Sequence, residues 1–526
     1  APHDARGHFN LGRCLLEAKR PADAHAALTK AARIAPADAA VRIALADACA
    51  DLDQPHAALD HITAALKIEP TSTIALDRLP TILIGVGRLD DAQAAFAGIE
   101  ARAKPERIRG FYTECGNGLR KANRFTEALA AYERALAADD TLGGRAGAER
   151  AAILHNMAEA HASLGRLDAA IPLAEQAVAA APDDPRLAYN LGLFELKAGK
   201  LGRAWDLFEH RFYSDASARE TFKKRYPEPP PYWAGEDLSG KSIVVWREQG
   251  LGDEIMGAGA LPDLFARAQA CKFVCNPRLA AVHRRSFPGL ELVPDADLQN
   301  LTSLNVDYQV PLGSLGRFFR RDLALFPRHA GYLKADPAKV ARVQAKYRAM
   351  AAGRPRVGIS WRSKNELLGA IKSAGLAAWA PILSAPDAWF VNLQYGDVAK
   401  DLAEINTQPG IAVYNDPEID SGGDLDDFFA QVAALDLVIS TSNTTVHVAG
   451  ALNVPTWLLL PHGAGTLWYW FERRADSPWY PSLRLYRQDP AASPEHEWWS
   501  GPVARAAADV RAWAGAASPA AEARHA

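Results

Sequence analysis

The spacing of apolar positions changes once along this chain of 526 residues. Up to about residue 213 the sequence is rich in alanine, and prolines interrupt it at a nearly constant interval. Pro36 and Pro70 lie 34 positions apart, and Pro105 follows 35 positions later. Long segments of helix-forming residues between regular breaks are typical of stacked pairs of antiparallel helices. The first part of the chain is therefore predicted to be an α-helical repeat array.

Short motifs recur within this array. The tripeptide at 10–12, NLG, returns at 190–192, and GRLD at 87–90 returns at 165–168. The stretch NRFTEALAAYERAL at 123–136 is similar to the second helix of a tetratricopeptide repeat (TPR). A period of 34 residues is that of this repeat, so residues 1–213 are predicted to form a TPR superhelix of about six units. Its concave surface is expected to bind a polypeptide; a purely scaffolding array is the alternative.

Residues 214–240 are predicted to be a linker, because RYPEPPPYWAGEDLSG at 225–240 combines four prolines with two glycines. Apolar strands then alternate with helices. The first series is SIVVW, KFVCN, LELVP and DYQVPL, and the second is RVGISW, AWFVNLQYG, IAVYND, LDLVIS and PTWLLLP. Apolar strands separated by helices indicate parallel sheets covered on both faces. The pattern predicts two Rossmann-like lobes, at 241–335 and 354–490, followed by a helix and a disordered tail at 491–526.

Ligands of such folds bind beyond the carboxyl ends of the strands, and candidate side chains follow four of the predicted strands. Gly250, Gly252 and Asp253 follow the first strand of the first lobe. In the second lobe Arg362 and Lys364 follow the first strand, where two cations suit a phosphate group. Gln394 ends the next strand, and the fourth strand runs into ISTSNTTVHVAG. Its candidate side chains are Ser442, Asn443, Thr444, Thr445 and His447.

The four side chains at 442–445, called here the hydroxyl-rich turn, precede a predicted helix. Hydroxyls, amides and backbone N–H groups at a helix N-terminus favour an anion, so the turn is predicted to bind phosphate. Helix capping is the alternative, although one residue would suffice for that. Asp253 is equally compatible with a cap, and His447 with a buried structural histidine. Arg362 and Lys364 could also lie on a solvated surface.

Composition excludes several classes of protein. The net charge is -3 and the isoelectric point near 6.6, which gives no general attraction to nucleic acid. Five scattered cysteines argue against a disulfide framework and for a reducing compartment. No stretch is long and apolar enough for a membrane span, and the first residues, APHDARGHFN, lack a signal core. We therefore expect a cytoplasmic protein.

The motifs REQGLGDEI, RVGISWRSKN, NLQYG, LDLVISTSNTTVHVAGALNVPTWLLLP and DSPWYPSLRLYRQ resemble those of bacterial TPR proteins fused to a glycosyltransferase domain of the GT-B fold. That domain is similar to the heptosyltransferase superfamily, and the resemblance covers about residues 241–490. It implies a nucleotide sugar held mainly by the second lobe. It also implies that Asp253 is the catalytic base, that Arg362, Lys364 and the hydroxyl-rich turn stabilise the leaving phosphate, and that no metal or cofactor is required.

One departure from the family pattern concerns the donor. Many relatives carry Asp-Thr or Asp-Ser where this chain has Ser442 and Asn443, and a missing carboxylate removes repulsion toward an anionic sugar. Within the family the chain most resembles flagellin glycosyltransferases that use a nonulosonic acid activated by cytidine monophosphate (CMP). We therefore expect O-glycosylation of flagellin from a CMP-linked donor, with UDP- or ADP-linked sugars as alternatives. A TPR binding or chaperone module with a degenerate GT-B scaffold is the competing hypothesis.

Overall fold

The structure is a computed structural model that describes residues 4–144, 147–214, 229–295, 300–363, 369–423, 425–489 and 499–517. It divides into two compact units. The first comprises Ala1–His161 and Asp168–Pro182, and the second comprises Ala162–Leu167 and Asp183–Ala526. Helices make up the first unit, and the second contains two parallel sheets. The predicted fold class, a TPR superhelix followed by an α/β GT-B fold, is confirmed.

Twelve helices form six consecutive pairs. They are α1 (Ala5–Glu17), α2 (Pro21–Ile34), α3 (Ala39–Asp51), α4 (Pro55–Ile68), α5 (Thr73–Gly85), α6 (Leu89–Ala97), α7 (Pro105–Lys121), α8 (Phe125–Thr141), α9 (Ala148–Ser163), α10 (Leu167–Ala180), α11 (Pro185–Lys197) and α12 (Leu201–Phe208). Proline occupies the first position of four of them, where its missing N–H costs no helical hydrogen bond.

The repeat period is visible in both packing and backbone. The fourth residue of the second helix in every pair is a completely buried alanine, at positions 24, 58, 92, 128, 170 and 204. A side chain no larger than a methyl group lets the paired helices approach closely at that point. The tight turn inside the pair needs a left-handed residue, with φ of 55° at Lys19, 56° at Asp53 and 78° at Gly87. Each repeat has the same packing and turn requirements, which explains why short motifs recur along the chain.

The first lobe contains a parallel sheet in the order β3-β2-β1-β4. Its strands are β1 (Ser242–Trp246), β2 (Ala270–Cys275), β3 (Glu291–Pro294) and β4 (Tyr308–Pro311), and its helices are α13 (Leu251–Ala258), α14 (Leu261–Phe265), α15 (Ala280–Ser286) and α16 (Leu315–Phe319). Ile243, Val244 and Val245 on the central strand are completely buried. Burial on both faces explains why β1 is apolar throughout rather than alternating.

The second lobe contains a parallel sheet in the order β10-β9-β8-β5-β6-β7. The strands are β5 (Arg356–Ser360), β6 (Trp389–Asn392), β7 (Val413–Tyr414), β8 (Leu437–Thr441), β9 (Thr456–Leu460) and β10 (Leu483–Arg487). The helices are α17 (Pro337–Ala351), α18 (Gly369–Lys372), α19 (Ala380–Leu383), α20 (Ala399–Ile405), α21 (Leu425–Ala433), α22 (Thr444–Ala451) and α23 (Ser500–Ala517). Strand β10 was not among the strands predicted from the sequence.

Part of the predicted linker is packed structure. Residues 215–228 lie outside the described residues, but residues 231–233 pair with Gln309 at the edge of β4. The Trp233 N–H donates to Gln309 O at 2.9 Å, and the Gln309 N–H donates to Pro231 O at 2.9 Å. The Trp233 side chain is 1% exposed. Proline is compatible with a sheet edge, and the buried indole anchors the segment there.

The last helical pair belongs to the second compact unit. The Trp205 indole of α12 donates to Arg320 O in the first lobe at 2.8 Å. The Lys197 ammonium of α11 lies 3.1 Å from a Glu472 carboxylate oxygen in the second lobe and donates to Gly463 O at 2.6 Å. Repeat six therefore contacts both lobes, whereas the sequence had assigned it to the array.

Candidate functional site

The glycine-rich turn after β1 begins α13 and positions Asp253. Gly250 is the N-cap, and its N–H donates to an Asp253 carboxylate oxygen at 3.2 Å. This hydrogen bond fixes the carboxylate at the first turn of the helix, where the helix dipole favours negative charge. Capping was one of the two interpretations of Asp253, and the structure shows that the side chain does cap α13.

The neighbouring carboxylate, Glu254, has a different role. It is 2% exposed and lies 2.9 Å from Arg247 and 3.2 Å from His283. It also accepts the Asn276 N–H at 3.0 Å. Glu254 therefore connects the ends of β1 and β2 to α15. Both acids line the same pocket, but in the described part of the chain Asp253 forms no ion pair, and its carboxylate accepts the Gly250 N–H of the helix cap.

The environment of Asp253 favours its protonated form. Burial, with a smaller contribution from the nearby Glu248 charge, raises the pKa of the Asp253 carboxyl to about 6, while the Gly250 N–H and the Lys372 ammonium act in the opposite direction. A carboxylate with this pKa is ionised at neutral pH and is more basic than an ordinary aspartate. This is the balance required of a general base acting near pH 7.

Gly252 allows two helices to meet. A Cβ atom at this position would lie 2.8 Å from Cδ2 of His447 on α22. The imidazole is 2% exposed, and its Nδ1 shares a hydrogen bond of 2.8 Å with the Tyr480 hydroxyl. Burial, aided by the Lys372 charge, lowers the pKa of His447 to about 3, so the ring is neutral. Gly252 and His447 thus maintain the packing of α13 against α22, and contact of His447 with a donor stays a prediction.

The side chains of the hydroxyl-rich turn are mostly engaged inside the second lobe. Asn443 caps α22 by accepting the Thr445 N–H at 3.0 Å and donates to the Ser360 hydroxyl at 2.7 Å. The Ser442 hydroxyl accepts the Trp470 indole N–H at 2.9 Å. Of the four residues, Thr444 is the one that is only half-buried. Phosphate binding here stays a prediction, and it now depends on Thr444 and the first turn of α22 rather than on four converging side chains.

The loop after β5 is held by Gln394. Its carboxamide oxygen accepts the N–H groups of Trp361 at 3.0 Å and Arg362 at 2.8 Å. The Arg362 guanidinium lies 2.7 Å from an Asp401 carboxylate oxygen, so a phosphate would have to compete with that ion pair. Gln394 is therefore a positioning residue in this structure. Lys364 lies outside the described residues, and its proposed role stays a prediction.

Lys372 was missed in the sequence. It ends the short helix α18 and is 4% exposed. Burial lowers the pKa of its ammonium group, and the charge of Asp253 opposes that effect. Within the described ranges, no carboxylate forms an ion pair with it. A buried cation without an ion-pair partner favours binding of an anion. Nothing in GAIKSAG distinguishes this lysine from a surface residue, since its burial arises only from the fold.

A pocket next to Asp253 has aromatic walls from two parts of the second unit. Trp205 and Phe208 come from α12, and Trp468 and Trp479 come from the second lobe. The ring centroids of Trp205 and Trp468 are 5.5 Å apart in an edge-to-face arrangement. Such a pocket offers apolar contact area beside the carboxylates of Glu248, Asp253 and Glu254. Repeat six thus contributes part of the wall of the site.

Comparison with known proteins identifies the repeats. Tetratricopeptide repeat models match residues 5–38, 112–183 and 155–217. The sequence interpretation of the helical array is therefore confirmed. Within the described residues, none of the helices combines the length and apolarity needed to cross a membrane.

Protein FlbA of Caulobacter vibrioides is 29% identical over 467 residues, which cover 84% of this chain and 68% of that protein. The chain is also similar to the ADP-heptose lipopolysaccharide heptosyltransferase II of E. coli, at 14% identity and a TM-score of 0.38 over 52% of this chain and 99% of that chain. A glycosyl transferase of family 9 from Veillonella parvula matches at 14% identity and a TM-score of 0.36, over 48% of this chain and 87% of its own. The protein studied here is thus a chain of tetratricopeptide repeats whose sixth repeat adjoins a two-lobed α/β unit.

Proposed function

We propose that the chain is a glycosyltransferase that moves a sugar from a nucleotide donor to a hydroxyl group of a polypeptide. The observation that carries the proposal is Asp253, a carboxylate of raised pKa that lines an aromatic pocket where two parallel-sheet lobes meet. The buried Lys372 supplies positive charge close enough to influence Asp253. A base and a buried cation close enough to influence each other's pKa suit sugar transfer from a phosphate leaving group.

In the proposed reaction Asp253 removes the proton of the acceptor hydroxyl as its oxygen attacks the anomeric carbon. A new glycosidic C–O bond forms, the bond from the anomeric carbon to the phosphate oxygen breaks, and its electron pair leaves on the nucleotide. Lys372, Arg362 and the first turn of α22 would stabilise the negative charge of the leaving phosphate. Lys364 is included in this set on the sequence argument alone. No step in this scheme calls for a metal ion.

The acceptor is proposed to be a serine or threonine of a polypeptide, with flagellin as the specific expectation from the sequence resemblance. The TPR units offer a surface of the kind that binds peptides. The pocket at Asp253 includes Trp205 and Phe208 from repeat six, and aromatic walls suit the backbone and apolar side chains next to a glycosylated residue. Repeat six would therefore contact the acceptor close to the reacting hydroxyl.

The donor is proposed to be a CMP-linked nonulosonic acid. The hydroxyl-rich turn contains no carboxylate, and Ser442 and Asn443 instead present neutral groups that are 2% and 7% exposed. A neutral turn does not repel the carboxylate that such a sugar carries, and the positive charge of Lys372 would attract it. UDP-, GDP- and ADP-linked sugars are the alternatives that the experiment separates.

A thermal-shift screen of the purified chain against CMP, UDP, GDP and ADP tests the donor site. A ligand at 100 times its dissociation constant adds about 2.7 kcal/mol of apparent stability. We expect stabilisation by CMP that is lost in Lys372→Met. The matched control is Lys400→Met, because the Lys400 side chain is 86% exposed. Stabilisation by UDP, GDP or ADP instead would change the assignment of the donor nucleotide. An equal thermal shift in both variants would exclude Lys372 from the nucleotide site.

A transfer assay tests the chemistry. The chain is incubated with purified flagellin and a CMP-linked nonulosonic acid, and the acceptor is measured by intact mass. Asp253→Asn preserves the shape and the helix cap but cannot accept a proton, so transfer should fall by about 10²–10⁴. Nucleotide binding should persist in this variant. Full transfer by Asp253→Asn would refute the assignment of the base.

A binding module with a degenerate GT-B scaffold remains the second candidate, and two observations favour it. The Arg362 guanidinium is engaged by Asp401, and Asn443 and Ser442 are engaged by internal hydrogen bonds. In that case the folded chain would show no shift with any of the four nucleotides, yet would still bind the polypeptide. This outcome would exclude the enzyme and retain the repeats as the functional part.

A further inference from the structure

Three potential metal ligands converge in the first two repeats. His25 lies on α2, Cys49 on α3 and His61 on α4. One ligand atom from each side chain lies within 4.8 Å of the other two. The residues are 24 and 12 positions apart in the sequence, so the helical packing alone brings them together.

The three side chains have few other interactions. Cys49 is 1% exposed, and both histidines are half-buried. Across the part of the chain that the structure describes, none of the three side chains forms a hydrogen bond or ion pair with another group. Polar groups in a protein interior normally have such partners. Two imidazoles and a thiol that face each other without partners have the chemistry of an incomplete coordination sphere.

The charges around the cluster have opposing effects. Burial, together with Arg42 and His25, lowers the pKa of His61, while Asp60 raises it. Metal binding would displace the thiol proton of Cys49. The Arg42 cation is repulsive to a metal ion, but its Nη2 donates to Pro36 O at 3.4 Å, on the loop before α3.

We propose that His25, Cys49 and His61 bind one Zn²⁺ ion. Two neutral nitrogens and one thiolate are ligands that Zn²⁺ prefers, whereas Mg²⁺ and Ca²⁺ require oxygen ligands. Tetrahedral Zn–N and Zn–S bonds of about 2.0 to 2.3 Å place ligand atoms roughly 3.5 Å apart. Side-chain movements of about 1 Å would bring the three ligand atoms, now within 4.8 Å of one another, to that separation. Water would occupy the fourth position.

The ion would connect repeat one to repeat two. His25 belongs to the first helical pair, and Cys49 and His61 belong to the second. In a stacked array each repeat is stabilised by its neighbours, and a terminal repeat has a neighbour on one side only. Metal binding to the folded state and not to the unfolded chain would stabilise this end of the array. The proposal does not depend on the glycosyltransferase activity.

The test uses the full chain without a histidine tag. The protein is treated with a chelator, incubated with Zn²⁺, passed through a desalting column and analysed for metal by mass spectrometry. We expect about one equivalent of zinc, falling to background in Cys49→Ala and in His61→Ala. Matched controls are Cys14→Ala and His56→Ala, since both side chains are exposed and lie outside the cluster. Equal zinc content in all five proteins, or none in the parent, would overturn the proposal.

Replacement of Zn²⁺ by Co²⁺ gives a second readout that identifies the ligand. A cobalt–thiolate charge-transfer band should appear in the parent and in Cys14→Ala. It should be absent from Cys49→Ala. Because removal of a buried side chain can disturb folding, His25→Gln provides a milder variant at a half-buried position and should weaken Co²⁺ binding while retaining the circular dichroism of the parent. A charge-transfer band that survives in Cys49→Ala would place the metal elsewhere and refute the site.

Discussion

Replacing Asp253 by asparagine should make the protein more stable at neutral pH while abolishing transfer. Burial raises the pKa of this carboxyl from 3.8 to about 6, so the folded state binds the proton more tightly than the unfolded chain. The proton therefore stabilises the fold fully below about pH 3.8, and this contribution is lost as the pH rises through about 6. Asparagine resembles the protonated acid at every pH and avoids the loss.

The difference between 3.8 and about 6 corresponds to about 3 kcal/mol at about 1.36 kcal/mol for each pH unit. This figure is an upper limit, because the side chain is half-buried and solvent screens its charge, so we expect a gain of about 1–3 kcal/mol at pH 7.5. For a unit of this size the melting temperature should rise by about 2–5 °C. By the same linkage the gain should fall to about half at pH 5.

The assay is differential scanning calorimetry of the parent and Asp253→Asn at pH 7.5 and pH 5. The control is Asp336→Asn, because Asp336 also caps a helix and asparagine is an equally good cap. It should shift the melting temperature little at either pH. A destabilised Asp253→Asn, or a gain that does not depend on pH, would refute the raised pKa. In the parent, transfer should decline below about pH 6 as Asp253 becomes protonated.

Three further substitutions test the packing of the second unit. Gly252→Ala would place a methyl group against the His447 imidazole and should destabilise the unit by about 1–3 kcal/mol. The control Gly202→Ala, with no atom within 4 Å of its Cβ, should be neutral or stabilising. Equal melting temperatures of the two variants would contradict the clash. Gln394→Ala leaves buried N–H groups without an acceptor and should cost about 2–4 kcal/mol in urea unfolding, so a loss below about 1 kcal/mol would contradict that role. Lys197→Met leaves the Glu472 carboxylate buried beside an apolar side chain and should lower the free energy of unfolding by about 3–5 kcal/mol. Adding Glu472→Gln should recover much of that loss. No recovery in the double variant would contradict a buried ion pair.

The strands and helices that the sequence predicts correctly are those with strong local signals. The apolar run of β1 reports burial directly, and the prolines at intervals of 34 and 35 residues mark the period of the repeats. Asp253 could also be located, since a glycine turn after a buried strand specifies the site edge of an α/β sheet.

Features formed by distant segments could not be predicted. Lys372 lies in an ordinary short helix, and its burial arises from packing against elements far away in the sequence. The hydroxyl-rich turn looked like four ligands because the sequence does not reveal that Trp470 and Ser360 engage Ser442 and Asn443. The proline-rich segment was predicted to be a linker, but the buried indole of Trp233 anchors part of it to the sheet. Local signals do not reveal that burial.

The assignment of repeat six to the second unit also bears on how such chains can change during evolution. The compact division falls near residue 182, ahead of α11, so the helical pair that contacts both lobes stays with the α/β unit. Recombination that lengthens, shortens or exchanges the preceding repeats would leave the buried contacts of Trp205 and Lys197 intact. A truncation intended to isolate the α/β lobes at residue 214 would instead remove both. The preceding repeats can thus change without redesign of the pocket at Asp253.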